Sequence, residues 1–82
     1  MARESLRYWL TFTAEGSKQP LICEMSRKFD LIFNIRNANV TKEVSIIALE
    51  LTGEAKVIEA AVKWFRRKAV QVDPIELDII ES

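Results

Sequence analysis

The residues of this 82-residue chain that could carry chemistry do not form a recognisable catalytic set. There is no histidine, a single cysteine and no glycine-rich phosphate loop. The chain therefore lacks histidine, the usual group for acid–base catalysis near neutral pH, and no serine or cysteine has a recognisable activating base. The same composition removes zinc, haem and iron–sulfur sites built from this chain alone. We expect no enzymatic activity, no metal and no cofactor.

The spacing of the apolar residues predicts the helices and strands that position the side chains. Apolar residues alternate over 6–12, take helical spacing over 20–29, alternate twice more, return to helical spacing over 54–67 and alternate again from Val70. This order predicts an α+β fold, a ferredoxin-like βαββαβ sandwich with a four-stranded antiparallel sheet and two helices on one face. We expect one domain over residues 1–82, with a core at about 5–77 and a tail at 78–82. Pro74 places the last strand at an edge or a strand end.

One face of the predicted sheet carries more apolar surface than a solvated face normally does. Alternation in the first strand leaves Trp9 on the side away from the helices, and the third strand adds Ile46 and Ala48 to that side. Exposed apolar surface of this kind marks an interaction site. We therefore predict that Trp9, Ile46 and Ala48 form a dimer or partner face.

The composition of the chain argues against two classes of binding partner, nucleic acid and the membrane. Twelve basic and twelve acidic residues cancel, so no net field attracts nucleic acid or anionic lipid. The third strand also lacks the Gly-aromatic run of RNA-recognition modules. The longest apolar run is far shorter than the roughly 18 residues of a membrane span, and the first residues do not resemble a signal peptide. We expect a cytoplasmic protein without nucleic-acid binding or direct membrane insertion.

Two further features have structural interpretations. Cys23 lies near the start of the first predicted helix, where a lowered pKa would make the thiol reactive. We favour the alternative, a partly buried residue that only packs. Arg66, Arg67 and Lys68 stand at the end of the second predicted helix, where the helix dipole favours positive charge.

Several short segments occur in a characteristic order along the chain. They are Phe12, then Gly16 and Pro20 ahead of a helix that ends SRKF at 26–29, then LIFNI at 31–35, LELTG at 49–53, AAVKWF at 60–65 and AVQV at 69–72. Through these segments the sequence resembles, from Leu6 to Leu77, the NIL domain, a small ferredoxin-like module named for an Asn-Ile-Leu tripeptide. The resemblance covers nearly the whole chain.

The resemblance carries implications for function. In the family, the module lies at the C-terminus of methionine-importing ABC-transporter ATPases as a regulatory domain that dimerises and binds methionine, and it is also joined to some iron–sulfur ferredoxins. This sequence contains neither a Walker motif nor cluster cysteines. The resemblance therefore implies a homodimeric regulatory module that binds an amino acid, methionine or a related sulfur metabolite, without ATPase or electron-transfer activity.

The resemblance also points to ligand-binding residues. The signature asparagine falls at Asn34, whose amide can both donate to and accept from the charged groups of an amino acid. Arg36 replaces the signature leucine, and a guanidinium can clamp a carboxylate in bidentate fashion. The structural alternatives are a polar residue at a strand end for Asn34 and a solvated cation for Arg36. The substitution at Arg36 leaves the specificity for methionine open.

A second hypothesis belongs to another functional class. The chain would then be an interaction module that docks on a transporter or a sulfur-metabolism enzyme through the same open face, without a metabolite ligand. Asn34 distinguishes the two, because its replacement should abolish metabolite binding and leave protein association intact.

Overall fold

The computed structural model describes residues 3–13, 20–41 and 43–75. The elements are β1 (Arg3–Thr13), α1 (Leu21–Lys28), β2 (Ile32–Val40), β3 (Val44–Glu54), α2 (Ala55–Arg67) and β4 (Gln71–Pro74). This order is the predicted one. The predicted tail at 78–82 lies outside the described residues.

The four strands form one antiparallel sheet in the order β2-β3-β1-β4. The two long central strands pair from Arg3 opposite Glu54 to Thr13 opposite Val44. Consecutive strands β2 and β3 form a hairpin, whereas β1 is flanked by β3 and β4, as in a split βαβ fold. The ferredoxin-like prediction is confirmed. Pro74 is the last residue of the edge strand β4, where its missing N–H costs no ladder bond.

The hydrophobic core lies between the helices and one face of this sheet. The inward-facing residues of the central strands meet the apolar stripes of both helices. The buried members of the cluster are Leu10, Phe12, Leu21, Met25, Leu49, Leu51, Ile58, Ala61, Val62, Trp64, Phe65, Val70 and Val72. The other face of the sheet, called the open face below, carries no helix among the described residues.

Helix α1 is short and has no side-chain cap. Pro20 occupies the N-cap position, immediately before the first helical residue, Leu21. Leu21 and Met25 are buried on the core side, and the helix ends where the Phe29 N–H donates to the Met25 carbonyl at 3.0 Å. Cys23 is exposed, so our expectation of a partly buried cysteine was wrong. Its position falls just outside the apolar stripe, toward water.

Helix α2 begins at Ala55, not at Gly53–Glu54 as the pattern suggested, because strand β3 continues to Glu54. Gly53 is buried in that strand directly beneath Leu31. A Cβ atom added at Gly53 would lie 2.5 Å from Leu31 Cδ2. A larger residue at Gly53 would therefore require the Leu31 side chain to shift, which reflects a close approach of two chain segments rather than a helix start.

The C-terminus of α2 is fixed by backbone and side-chain contacts. Ala69 has φ 66°, and the N–H groups of Ala69 and Val70 donate to the carbonyls of Arg66 and Phe65, both at 3.1 Å. This is the pattern of a Schellman motif. The Arg66 guanidinium donates to the Val72 carbonyl at 2.9 Å, and Lys68 Nζ lies 5.5 Å from the centre of the Trp64 ring. These contacts confirm a structural role for the basic residues, alongside their interaction with the helix dipole.

Strand β2 departs from regular alternation. Ile35 pairs with Leu49 and Asn37 pairs with Ala48, so Arg36 is an extra residue in a β-bulge. Beyond the bulge, Ala38 takes the helix side of the sheet. The strand therefore continues through the polar residues Asn37 and Asn39 to Val40.

Candidate functional site

The open face is built from side chains that pair across the central strands. Trp9 is directly opposite Ala48, and Thr11 is directly opposite Ile46. On strand β2, Asn37 lies opposite Ala48 on its other side. Since side chains of paired residues point to the same face, these rows form one continuous surface.

The three apolar residues proposed from the sequence lie on this face but differ in exposure. Trp9 is 39% exposed and Ile46 is 37% exposed, whereas Ala48 is only 4% exposed. Ala48 is small and lies between Trp9 and Asn37, so its larger neighbours cover it. Of these three residues, Trp9 and Ile46 provide apolar surface that a partner or ligand could contact, and Ile32 on β2 adds to it with 58% exposure.

A polar cluster lies next to this apolar surface. The row across β2, β3 and β1 consists of Asn34, Glu50 and Arg7. Arg7 Nε donates to Glu50 Oε2 at 3.0 Å, and Arg36 Nη1 lies 3.9 Å from Glu50 Oε1. The four residues Asn34, Arg36, Glu50 and Arg7 are called the polar cluster below.

The bulge explains how Arg36 reaches this cluster. In a regular strand Arg36 would face the same side as Asn34, but as the extra residue it has no pairing partner on β3. Its guanidinium still extends toward Glu50, at the outer limit of an ion pair, and its side chain is 49% exposed. Asn34 is also exposed, and its amide makes no hydrogen bond with another described residue. Both candidates therefore have groups available to a ligand.

Arg7 and Glu50 are members of the cluster that sequence reasoning did not select. Alternation along β1 and β3 places both residues on the open face, but alternation alone does not show which residues of two strands are opposite one another. The register supplies that information, since it places Arg7 directly opposite Glu50.

Replacement of Glu50 by glutamine is expected to lower the free energy of unfolding by about 1 kcal/mol. The carboxylate is the only described acidic partner of Arg7 and Arg36, and its side chain is only 16% exposed. The guanidinium groups of Arg7 and Arg36 are partly exposed, so water can hydrate them when the carboxylate is removed. The loss of stability should therefore stay near the value for surface ion pairs. Urea unfolding at low and high salt measures it, and the loss should shrink in high salt.

The matched control for this substitution is Glu59→Gln on α2. Glu59 is exposed and makes no ion pair with another described residue. Its replacement should leave stability unchanged within about 0.5 kcal/mol. Equal effects of the two substitutions would show that the Glu50 cluster contributes nothing beyond general charge.

The helix side of the sheet contains one titratable group in a modified environment. Burial raises the pKa of the Tyr8 phenol, with an opposing effect from Arg66 and smaller raising effects from Glu4 and Glu59. The phenol therefore stays neutral at physiological pH and acts as a packing residue on the helix side, away from the polar cluster.

Two negative findings apply to the described part of the chain. Its His, Cys, Asp and Glu side chains include no group of three that could hold a metal ion. Within the same residues, no helix is long and apolar enough to cross a membrane.

Comparisons with known proteins converge on one family. The family model of the NIL domain matches residues 6–74. A protein named methionine import ATP-binding protein MetN from Cupriavidus pinatubonensis is 32% identical over 73 residues, covering 84% of this chain and 21% of the relative. A protein named methionine import ATP-binding protein MetN 3 from Shouchella clausii has the same identity and coverage. This chain thus spans about a fifth of the length of the curated relatives that it matches.

A solved structure shares the fold. It is the C-terminal domain of an ABC transporter ATP-binding protein from Enterococcus faecalis, with a TM-score of 0.76 and 22% sequence identity. The superposition covers 89% of this chain and 86% of that chain. At this identity the likeness concerns the fold alone.

Proposed function

Because this chain belongs to the NIL domain family, we propose that it is a non-catalytic regulatory module that binds an amino acid on the open face of its sheet and acts as a homodimer. Methionine or a related sulfur metabolite is the proposed ligand, since methionine import is part of the names of its relatives. The ATP-binding protein of such a transporter is the proposed partner, and the cytoplasm is the proposed compartment.

This proposal rests mainly on one observation. A guanidinium, a carboxylate and an amide without an internal partner lie together beside an exposed indole ring. Arg36 lies 3.9 Å from Glu50, and Asn34 is directly opposite the same glutamate. A free amino acid has a carboxylate, which a guanidinium binds, and an ammonium group, which a carboxylate and an amide oxygen bind. Trp9 and Ile46 provide apolar surface for its side chain.

The long separation between Arg36 and Glu50 favours ligand binding at this point. Glu50 is already engaged by Arg7 at 3.0 Å, so Arg36 contributes little to the stability of the cluster. A carboxylate that approached Arg36 would therefore displace only a weak contact. Asn34 has no internal partner among the described residues to lose.

Regulation would follow from differential binding. A ligand shifts the equilibrium between two assembly states only by the difference between its affinities for them. Groups on the open face of two copies would surround the ligand if the faces pack together, and a single copy would contact it on one side. The ligand would thus favour the dimer.

Replacement of Asn34 by alanine is expected to abolish the thermal stabilisation that methionine confers. Ligand at 100 times its dissociation constant adds about 2.7 kcal/mol to the free energy of unfolding. For a domain of this size that corresponds to a rise in Tm of more than about 10 °C. Thermal unfolding of the wild type and the variant at one fixed protein concentration, with a panel of amino acids and sulfur metabolites, measures the difference.

Asn39→Ala is the matched control. Asn39 is the same residue type on the same strand and the same face, opposite Ile46 and outside the polar cluster. Its replacement should leave the ligand-induced rise intact. A wild type that no amino acid stabilises would contradict the proposal outright, and equal loss in the two variants would contradict the role of Asn34.

The interaction module without a metabolite is the second candidate, and one observation favours it. Strand β2 is an edge of the sheet, and it exposes Ile35 and Val40 on the helix side as well as Ile32 on the open face. Edge strands with exposed apolar side chains are surfaces that other chains can pair with. A flat ligand panel together with retained binding to a transporter ATPase would support this candidate.

A further inference from the structure

Part of strand β1 lacks a strand partner on the side of β4. Strand β4 accompanies β1 only as far as Pro74 opposite Tyr8, whereas β3 accompanies it on the other side as far as Glu54 opposite Arg3. Within the described part of the chain, residues 3–6 therefore present unpaired backbone groups at this edge, which is called the β1 edge below. Such an edge is a template for the addition of an extended segment.

The backbone is already directed along the β1 edge where β4 ends. The Ile75 N–H donates to the Arg7 carbonyl at 2.9 Å, so the ladder continues one residue beyond Pro74. In an antiparallel ladder, hydrogen-bonded pairs alternate with pairs that are not hydrogen-bonded. The next residues of the chain therefore need no change of direction to continue along β1.

An unchanged register assigns a partner to each of the next residues. Glu76 would be opposite Leu6 in a pair without hydrogen bonds, and Leu77 would be opposite Ser5 in a hydrogen-bonded pair. The sequence has the matching period, since IELD at 75–78 alternates apolar and acidic residues. Because Leu6 lies on the helix side of the sheet, the glutamate would face the helices and Leu77 would face the other way, on the open face.

The helix side offers a basic environment for this glutamate. A groove of about 440 Å³ lies between α2 and the sheet there, and Leu6 and Pro74 form part of its wall. Among the described residues that line it, Lys56 and Arg66 are basic and Glu59 is the one acidic residue. A carboxylate opposite Leu6 would therefore approach a groove with an excess of one positive charge, which attracts it.

We propose that residues 76 and 77 of this chain occupy the β1 edge and continue β4, with the Glu76 carboxylate at the groove and the Leu77 side chain on the open face. The pairing ends at Leu77, because Asp78 would be directly opposite Glu4 and like charges in such a pair are unfavourable. This occupant prevents another chain from adding a strand at the same edge.

The extension also enlarges the open face. Leu77 would stand in the row of Ser5, Thr52 and Ile32, which is adjacent to the row of the polar cluster. A partner or ligand at the open face would thus meet one more apolar side chain than the described residues provide. The proposal does not depend on amino-acid binding at Asn34 or on the homodimer.

The test is amide hydrogen exchange in the ¹⁵N-labelled 82-residue protein without any added ligand. The Leu77 N–H would donate to the Ser5 carbonyl, whereas the N–H groups of Glu76 and Asp78 would point away from β1. Relative to the rates of an unstructured peptide, exchange at Leu77 should therefore be slowed at least about tenfold more than at its two neighbours. Unprotected exchange at Leu77 would overturn the proposal.

Two proline variants test the pairing from the other strand. Leu77→Pro removes the donor and places a ring against β1, so the Ser5 amide should lose its protection from exchange. Asp78→Pro is the matched control, because the N–H at this position is not needed and a residue before proline keeps an extended backbone. Equal protection of Ser5 in the two variants would overturn the proposal.

The charge of Glu76 is tested separately. Glu76→Gln should reduce the protection of the Leu77 amide about two- to fivefold, the range for an exposed ion pair, and Glu81→Gln should leave it unchanged. Equal effects of the two substitutions would contradict the position of the Glu76 carboxylate at the groove.

A measurement on the wild type identifies the occupant and does not depend on the folding of any variant. In an antiparallel pair without hydrogen bonds the two Cα atoms are only about 4.5 Å apart, so the Hα atoms of Leu6 and Glu76 should give a strong nuclear Overhauser effect. In a mixture of isotope-labelled and unlabelled protein, this signal should arise within one chain. A signal between chains would show that a second copy supplies the strand and would overturn the proposal, as would the absence of the signal.

Discussion

Replacement of Phe65 by alanine is expected to lower the free energy of unfolding by about 3–5 kcal/mol, the range for a fully buried phenylalanine. Phe65 has no exposed surface and is among the largest fully buried side chains. Its ring meets that of Trp64 in an edge arrangement, with centroids 5.3 Å apart. The loss would therefore combine transfer of the ring to water, an internal cavity and an aromatic contact.

The size of this effect matters because the domain is small. At about 0.05–0.15 kcal/mol per residue, 82 residues correspond to a total stability of about 4–12 kcal/mol. At the lower end of this range, a loss of about 3–5 kcal/mol would leave a substantial unfolded population. The Phe65 carbonyl also accepts the Val70 N–H in the turn that leads to β4, so this position links the helix to the edge strand.

Urea unfolding followed by circular dichroism measures the effect, with Phe33→Ala as the matched control. Phe33 packs against the same core from the edge strand β2 but is only partly buried. The same truncation there should cost less than half as much, and the slope of the transition should be unchanged in both variants. Equal losses at the two positions would show that the core under α2 is not the dominant source of stability.

The fold could be predicted because each element shows its period clearly. In α2, apolar residues occur at helical spacing up to Phe65, and in β1 they alternate without interruption. The period of the hydrophobic pattern follows from the local geometry of a helix or a strand, so it can be recognised without knowing which distant segments are in contact. The boundaries of the elements were harder to predict. The end of β3 near Gly53 is an example, because the burial of this glycine under Leu31 depends on a contact between distant segments.

The bulge at Arg36 was not predicted, although the sequence contains a signal for it. The helix-side residues of β2 occupy odd positions up to Ile35 and even positions at Ala38 and Val40. One extra residue in the strand produces this change of parity. Asn37 and Asn39 obscure this signal, because polar residues at this point also fit the end of a strand.

The sequence predicted which side chains share the open face, but not which of them are in contact. Asn34, Arg36 and Trp9 could be assigned to one face from alternation and family resemblance. The ion pairs of Glu50 depend on the register between strands and on the bulge, which alternation does not determine.

The proposed homodimer leads to the second large expected effect, which concerns Trp9. Strands of 11, 9, 11 and 4 residues define the open face. At about 4.8 Å between strands and about 3.4 Å per residue, this face measures about 600 Å². Specific interfaces bury about 600–1,000 Å² per partner, so the face is just large enough for a dimer. An interface near this limit depends strongly on its few large side chains.

Replacement of Trp9 by alanine is therefore expected to weaken the dimer about 30- to 100-fold. Trp9 is the largest exposed side chain on the face and is at its centre, opposite Ala48 on one side and Asp73 on the other. Truncation of a tryptophan at the centre of an interface typically lowers the binding free energy of the complex by at least about 2 kcal/mol. Sedimentation equilibrium over a range of protein concentrations gives the dissociation constants.

The matched control is Ile35→Ala, which tests the edge of the sheet instead of its open face. Ile35 is 53% exposed, more than Trp9, but it pairs with Leu49 on the helix side of β2. If two copies pack through their open faces, this truncation should leave the dissociation constant unchanged. If they pair along β2, the order of the two effects should reverse, because the edge residues would then be buried. A wild type that stays monomeric at every concentration would exclude the dimer and with it the regulation by assembly, while amino-acid binding at Asn34 could still be tested on the monomer.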